Sequence, residues 1–275
     1  MAAGAGAQVK TDPMPVLRAL VRRPGPRLAE GIVTHASGGP VDVALAHRQW
    51  AEYVRTLQDA GWQTLEVEPA DDQPDAVFVE DALVVYGDLA VLTRPGAPGR
   101  RGELPAVGEA AAEAGYRVAR IEAPGTLDGG DVLKFGGTVW VGRSARTDDD
   151  GIRQLAALLE PMGARVVPVP VRSVLHLKSA VTALPDGTLV GHPPLVDHPF
   201  DALLPVPEPS GGQVVLLEHG TVLLAASAPR TAELLRSRGH RVVTVDISEL
   251  EKLDGGVTCL SVRLRDEGAA AGARS

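Results

Sequence analysis

The sequence predicts an α/β fold in which about five copies of one unit, each roughly 50 residues, close into a ring. Two observations predict it. Short apolar runs recur in hairpin pairs, and most pairs are followed by a stretch of helical periodicity and then one more strand. In addition, no stretch of linker composition divides the 275 residues. Each copy leaves an apolar sheet face that a neighbour must bury, and closing the ring removes the end copies.

In chain order, Val43, His47, Trp50, Val54 and Leu57 step by 4, 3, 4 and 3. That is one helical face, closed by Gly61 and followed by a strand over 64–67. Strands over 76–86 and 89–93 precede a helix carrying Leu104, Val107, Ala111 and Ala114, which Gly115 ends; a strand over 116–121 follows. The runs 132–135 and 138–141 turn about Gly136-Gly137. Their helix carries Ile152, Leu155, Leu158 and Leu159, and their last strand covers 164–169. A fourth hairpin pivots on Pro185-Asp186-Gly187, but the prolines of 193–209 weaken its helix. The last copy pairs 214–217 with 221–226 across Glu218-His219-Gly220. Pro229 opens its helix, Leu234 and Leu235 supply the stripe, Gly239 closes it, and 242–245 is the final strand.

Lys and Arg number 27 against 35 Asp and Glu, a formal net charge of −8, with 44% hydrophobic residues. This is ordinary for a globular protein. The acidic balance argues against nucleic acid or an anionic membrane surface as partner, because phosphate neutralisation needs an excess of cations. At 3%, aromatic residues leave little for stacking on bases. No apolar run approaches the roughly 18 residues of a membrane helix; charges such as Glu80, Asp81 and Asp88 interrupt every candidate. A single cysteine rules out an intrachain disulfide and any multi-cysteine metal site. Residues 1–13 and 267–275 read as disordered tails around one domain, 14–266. With no apolar signal segment, the default compartment is the cytoplasm.

Candidate chemistry falls just past strand ends, where ligand groups converge in sheet-based folds. Asp75, Glu80 and Asp81 bracket an apolar stretch, as solvated edge charge or as carboxylates for a cation. Asp128-Gly129-Gly130-Asp131 is a plain turn or a backbone that approaches a ligand closely. Its acids suit Mg²⁺ or Ca²⁺, yet the spacing fits no calcium loop. His176 lies between Leu175 and Leu177, the setting of a satisfied core histidine. Cys259, after Asp254-Gly255-Gly256, is by itself a small buried hydrophobe. One Cys with a distant His and acid is nevertheless the minimum set for thiol catalysis. Arg94 and Arg146 each follow a strand, as surface charge or as a bidentate grip on a carboxylate. There is no P-loop, no G-x-G-x-x-G and no H-E-x-x-H.

Together and in this order, the segments resemble the dimethylarginine dimethylaminohydrolase family of the guanidino-group-modifying superfamily. The strings that carry the likeness are PDAVFVED at 74–81, TRPGAPGRRGE at 93–103, APGTLDGGD at 123–131, RSART at 143–147, LHLKS at 175–179 and DGGVTCLS at 254–261. The likeness runs from about 22 to 264. It implies a five-bladed α/β propeller of ββαβ units, the pentein fold, in agreement with the repeat count.

The resemblance further implies Cys259 as nucleophile, His176 as general acid/base and Asp128 as acidic partner, at a position where the family has Asp or Glu. Asp75, Glu80 and Asp81 would hold the guanidinium and nearby polar groups, with Phe78 lining the pocket. Arg94 and Arg146 would hold the α-carboxylate, and the backbone at Leu253 would meet the α-amino end. Ile32 stands at a lid position that is commonly Leu. The implied reaction hydrolyses Nω-methylated arginine to citrulline and methylamine or dimethylamine through a covalent thiouronium on the cysteine. It needs no metal or organic cofactor. The implied partner is a small guanidino amino acid, and both monomer and homodimer stay open.

Other readings stay in view. Arginine deiminases, agmatine deiminases and amidinotransferases of the superfamily place an Asp two residues after the catalytic His, where this chain has Lys178. Arginine deiminases also carry an inserted helical domain, for which this chain has no room. A catalytically silent guanidine-binding protein would not need Cys259, His176 and Asp128 together. A metal-dependent hydrolase using the acids would lose activity to a chelator.

Overall fold

The repeat in the sequence is the repeat of the fold. The computed structural model describes residues 16–35 and 38–264; the two expected tails lie outside the described residues. The first elements are β1 (Arg18–Val21), α1 (Val43–Asp59) and β2 (Gln63–Glu66). Next come β3 (Leu83–Tyr86), β4 (Leu89–Leu92), α2 (Leu104–Glu113) and β5 (Arg117–Arg120), then β6 (Val132–Phe135), β7 (Thr138–Arg143), α3 (Asp149–Leu159) and β8 (Arg165–Pro170). The short α4 (Leu177–Ala180) leads into β9 (Val181–Ala183), β10 (Leu189–Gly191) and β11 (Leu203–Pro205). The chain continues through β12 (Val215–Leu216), β13 (Thr221–Ala225), α5 (Pro229–Ser237), β14 (Arg241–Val245), α6 (Ser248–Glu251) and β15 (Val262–Leu264).

These strands form five three-stranded sheets. In each, the middle strand runs antiparallel to one neighbour and parallel to the other. A parallel pair needs a crossover, and α1, α2, α3 and α5 supply it. In the fourth blade the crossover is irregular, with only a 3₁₀ turn at Pro193–Leu195, as the prolines predict. The remaining blade joins the two ends of the described chain. There β15 pairs antiparallel with β1, Arg18 opposite Leu264, while β1 pairs parallel with β2. Among the described residues no helix is long and apolar enough to cross a membrane.

Local chemistry explains the elements. Asp42 caps α1 by accepting from Leu45 N at 2.9 Å, and Asp148 caps α3 by accepting from Gly151 N at 2.8 Å. The fully buried line of α1 is Ala46, Gln49, Tyr53 and Leu57: the first three stand one position before His47, Trp50 and Val54 of the expected stripe, and Leu57 is common to both. Hydropathy misses it because two of the four are polar. Gln49 is satisfied by Ser248 and by the N–H of Glu249, and Tyr53 by Ser261.

A second correction concerns 76–86, expected as one strand. Only Leu83–Tyr86 is extended, and Val79–Ala82 is a 3₁₀ turn. The buried guanidinium of Arg100 donates to the carbonyls of Asp75 and Phe78, both at 3.2 Å, so these carbonyls bond a side chain instead of a sheet partner.

A one-turn segment precedes the antiparallel edge strand of every blade: 3₁₀ at Val79–Ala82, Gly129–Asp131 and Pro209–Gly212, α-helical at α4, and a hydrogen-bonded turn before β15. Val79–Ala82 touches Gly129–Asp131, which touches α4, which touches Pro209–Gly212. The stretch 257–261 before β15 closes the circle, because Glu80 N donates to Cys259 O at 3.2 Å. The axis of the ring is therefore lined by turns, and the candidate chemistry sits on them.

Candidate active site

Hairpin geometry places the candidates. The start of the first strand and the end of the second lie at the same edge of a blade, because the two run antiparallel. Asp81, Asp128, His176 and Cys259 come from segments just before first strands, whereas Arg146 comes from a segment just after a second strand. The expectation that the chemistry lies just past strand ends is thus corrected for the first group.

A small cavity of about 20 Å³ is lined by Ile32, Asp75, Phe78, Asp81, Arg100, Arg146, His176, Leu253 and Cys259, with Leu175, Asp254 and Gly255. At its centre, His176 Nε2 lies 3.0 Å from Asp128 Oδ2, and His176 Nδ1 lies 3.6 Å from Asp81 Oδ1. Both carboxylates are fixed from behind. Arg100 Nη1 donates to Asp81 Oδ2 at 2.6 Å and Gly130 N to Oδ1 at 3.0 Å; Gly96 N donates to Asp128 Oδ1 at 2.9 Å. Gly130 is required there: a Cβ would sit 2.6 Å from His176 Nδ1 and 2.7 Å from Asp81 Oδ1.

The electrostatics follow. Burial alone would lower the pKa of His176, but Asp81, the hydrogen bond to Asp128 and the nearby Asp131 together push it up to about 9. Burial opposes the charge on Asp81, yet His176, Arg100 and Lys178 hold its carboxyl well below the usual range. Burial pushes the Cys259 thiol up to about 12, and Glu80 and Asp81 add to that. Burial also raises Asp75. Asp81, Asp128 and His176 are close enough together to attract a cation. However, their oxygens already accept from Arg100, Gly130, Gly96 and His176, and Arg146 Nη1 stands 3.6 Å from Asp128, so the donor set suits a proton relay better than a metal.

Two expected contacts are not brought together with the rest. Glu80 turns to the opposite side of its turn and meets Lys178 Nζ at 2.6 Å and Arg263 Nη2 at 3.4 Å. Arg94 donates to the carbonyls of Pro124 and Gly125 at 3.3 and 3.0 Å, and it does not line the cavity. By contrast, Arg146 Nη1 is buried without a hydrogen-bond partner. Ile32 is 39% exposed and donates its N–H to Asp75 Oδ1 at 3.0 Å.

The N(G),N(G)-dimethylarginine dimethylaminohydrolase of Streptomyces coelicolor is 62% identical over 255 residues, 92% of this chain and 99% of that protein. The chain belongs to the dimethylarginine dimethylaminohydrolase family. Among solved structures, the dimethylarginine dimethylaminohydrolase of Pseudomonas aeruginosa, a cysteine-to-serine variant in complex with citrulline, superposes with a TM-score of 0.83 at 35% identity. The match covers 90% of this chain and 98% of that one. A histidine-to-glycine dimethylarginine dimethylaminohydrolase, solved as its adduct with S-methyl-L-thiocitrulline, superposes at 0.86 with 35% identity, over 91% and 100% of the two chains. No family model matches the chain. The ring of five small mixed sheets is the pentein fold.

Three supporting residues stand outside the roles that the resemblance implies. Arg100, which lies in the string TRPGAPGRRGE, binds Asp81 and Glu103 in the core. Asp131 accepts from Leu177 N at 2.9 Å, Ser144 Oγ at 2.6 Å and Thr147 Oγ1 at 2.7 Å, and so fixes the backbone next to His176. Asp254 accepts from Thr34 N at 2.6 Å and His35 N at 3.0 Å, tying down the segment that carries Ile32. A signal existed for Asp131 and Asp254, since each flanks a Gly-Gly pair.

Proposed function

We propose that the protein hydrolyses Nω-methylated arginine to citrulline and methylamine or dimethylamine, with Cys259 as nucleophile, His176 as general acid/base and Asp128 as its partner. The observation that carries this reading is that the chain's one cysteine, a carboxylate-flanked histidine and an arginine whose buried Nη1 has no hydrogen-bond partner line one small cavity. Membership of the family supports it.

A guanidinium carbon is a poor electrophile because resonance spreads its charge. Asp81 and Asp75 would fix its orientation and supply the opposite charge. The incoming cation also favours the thiolate that burial opposes. Attack of Sγ on the guanidinium carbon forms a tetrahedral adduct. His176, protonated because its pKa lies near 9, gives its proton to the departing dimethylamine, which cannot leave as an anion. The neutral imidazole then takes a proton from water. The resulting hydroxide adds to the thiouronium carbon; the C–S bond then breaks, the sulfur leaves as thiolate, and the adduct's hydroxyl proton passes to solvent, leaving citrulline with Cys259 and protonated His176 restored. General acid–base help of this kind contributes roughly 10²–10⁴-fold. Arg146 would hold the α-carboxylate. Lys178, at the position where deiminases place a second clamp, turns to Glu80, leaving room for methyl groups. The acidic net charge fits a small-molecule substrate in the cytoplasm, as monomer or homodimer.

The test is citrulline release from asymmetric dimethylarginine, arginine and agmatine, side by side with a chelator present. Turnover of the methylated substrate alone is expected. Preference for arginine or agmatine would move the specificity, loss of turnover to the chelator would favour a metal-dependent hydrolase, and silence on all three would favour a binding protein.

A further inference from the structure

A second cavity of about 270 Å³ backs onto the first. Glu80, Lys178 and Thr258 line it, while Asp81, His176 and Cys259, one or two residues away in sequence, line the first. The wall between them is one layer of the turns around the axis. Within that wall, Glu80 N donates to Cys259 O at 3.2 Å, and Thr258 Oγ1 lies 3.8 Å from Cys259 Sγ. The Glu80 side chain is almost wholly buried, and its Oε2 has no hydrogen-bond partner. Its Oε1 is held by Lys178 Nζ at 2.6 Å and, at 3.4 Å, by Arg263 Nη2. A buried carboxylate behind a thiol disfavours the thiolate unless its charge is countered.

We infer that Lys178 is a positioning residue for the nucleophile: its ammonium, reaching Glu80 from the second cavity, counters part of the charge of the carboxylate behind Cys259 and leaves the sulfur able to ionise when substrate arrives. This rests on the reading of Cys259 as nucleophile. The other charged or titratable groups that share the first cavity with the sulfur are Asp75, Asp81, Arg100, Arg146, His176 and Asp254, all on the substrate side. Arg263 is the weaker partner of Glu80, since its Nη1 also donates to Ser261 Oγ at 3.1 Å. Glu80 ranks directly after burial among the influences that raise the thiol's pKa.

Cys259 is the only cysteine in the chain, so its alkylation by iodoacetamide, followed against pH, reads this one thiol. In Lys178→Met, alkylation and kcat on dimethylarginine are both expected to fall about tenfold, the effect of one pKa unit, with KM changed less. Lys178→Arg should recover most of both. In Lys178→Ala, added propylamine, small enough for the second cavity, should restore activity where propanol does not. Wild-type rates for Lys178→Met in both assays would overturn the inference, as would a loss that neither arginine nor the amine repairs, which marks a structural role. Slower alkylation with unchanged turnover would support the charge effect of Lys178 but sink Cys259 as nucleophile.

Discussion

At the residue scale, the thiol of Cys259, pushed up to about 12, has almost no thiolate at neutral pH until a cation sits beside it. In the proposed reaction, substrate recognition and nucleophile activation are therefore one event, and slow reaction with other electrophiles is expected. Cys259→Ser should lower citrulline formation by on the order of 10³-fold or more with the circular dichroism unchanged. Retention of a tenth of the activity would rule out the nucleophile assignment. Arg146→Ala removes a charge-assisted contact worth about 1.5–3 kcal/mol. It should cut kcat/KM for dimethylarginine about 10–100-fold while sparing decarboxylated guanidines; equal losses for both would contradict its role at the α-carboxylate.

At the element scale, the segment carrying Ile32 is held by side chains from two distant parts of the chain. Asp75 accepts from Ile32 N, and Asp254 accepts from Thr34 N and His35 N. A cavity of about 20 Å³ has room for little more than a water, so its lining, to which the half-exposed Ile32 belongs, has to give for an arginine side chain to enter. Asp254 takes a left-handed φ of 59°, which Asn also tolerates. Asp254→Asn therefore removes the charge and keeps the backbone. Amide exchange at Thr34 and His35 should speed up about fivefold, the factor for about 1 kcal/mol; unchanged exchange would show that the segment is held by something else. The elements themselves were largely legible, because hairpins and helices announce themselves by period and by glycine. The turns were not. The run 76–86, charged only at Glu80 and Asp81, is apolar enough to read as strand, and the buried Arg100 that holds the carbonyls of Asp75 and Phe78 is a tertiary contact. For the same reason the sequence could not say that Glu80 and Asp81 face opposite cavities.

At the scale of the whole molecule, the repeat count was legible and the closure was not, since nothing local pairs Arg18 with Leu264. The roles proposed for Cys259, His176 and Asp128 rest on a resemblance borne by ordered strings, whereas no single residue points to them; the structure adds that His176 and Cys259 line one cavity and that His176 meets Asp128. Their concentration at the axis has a cost in pH range. The pKa of His176 is raised in the folded state to about 9 from 6.5. Between those values the folded protein binds more protons than the unfolded chain, so this stabilisation is present below about 6.5 and is lost as pH rises through 9. Denaturant titrations should show the slope of stability against pH in that window becoming shallower in His176→Gln, by at most about 1.4 kcal/mol per pH unit. An identical slope in the variant would remove His176 as its source.

The β1–β15 pairing makes Cys259 a custodian of its own ring. The thiol lies just ahead of the strand that closes the circle, and burial in the closed circle is the largest influence suppressing its ionisation. A molecule whose ends have parted would return it to an ordinary solvent-exposed cysteine, open to oxidation. Damage should thus fall first on the molecules that have already come undone.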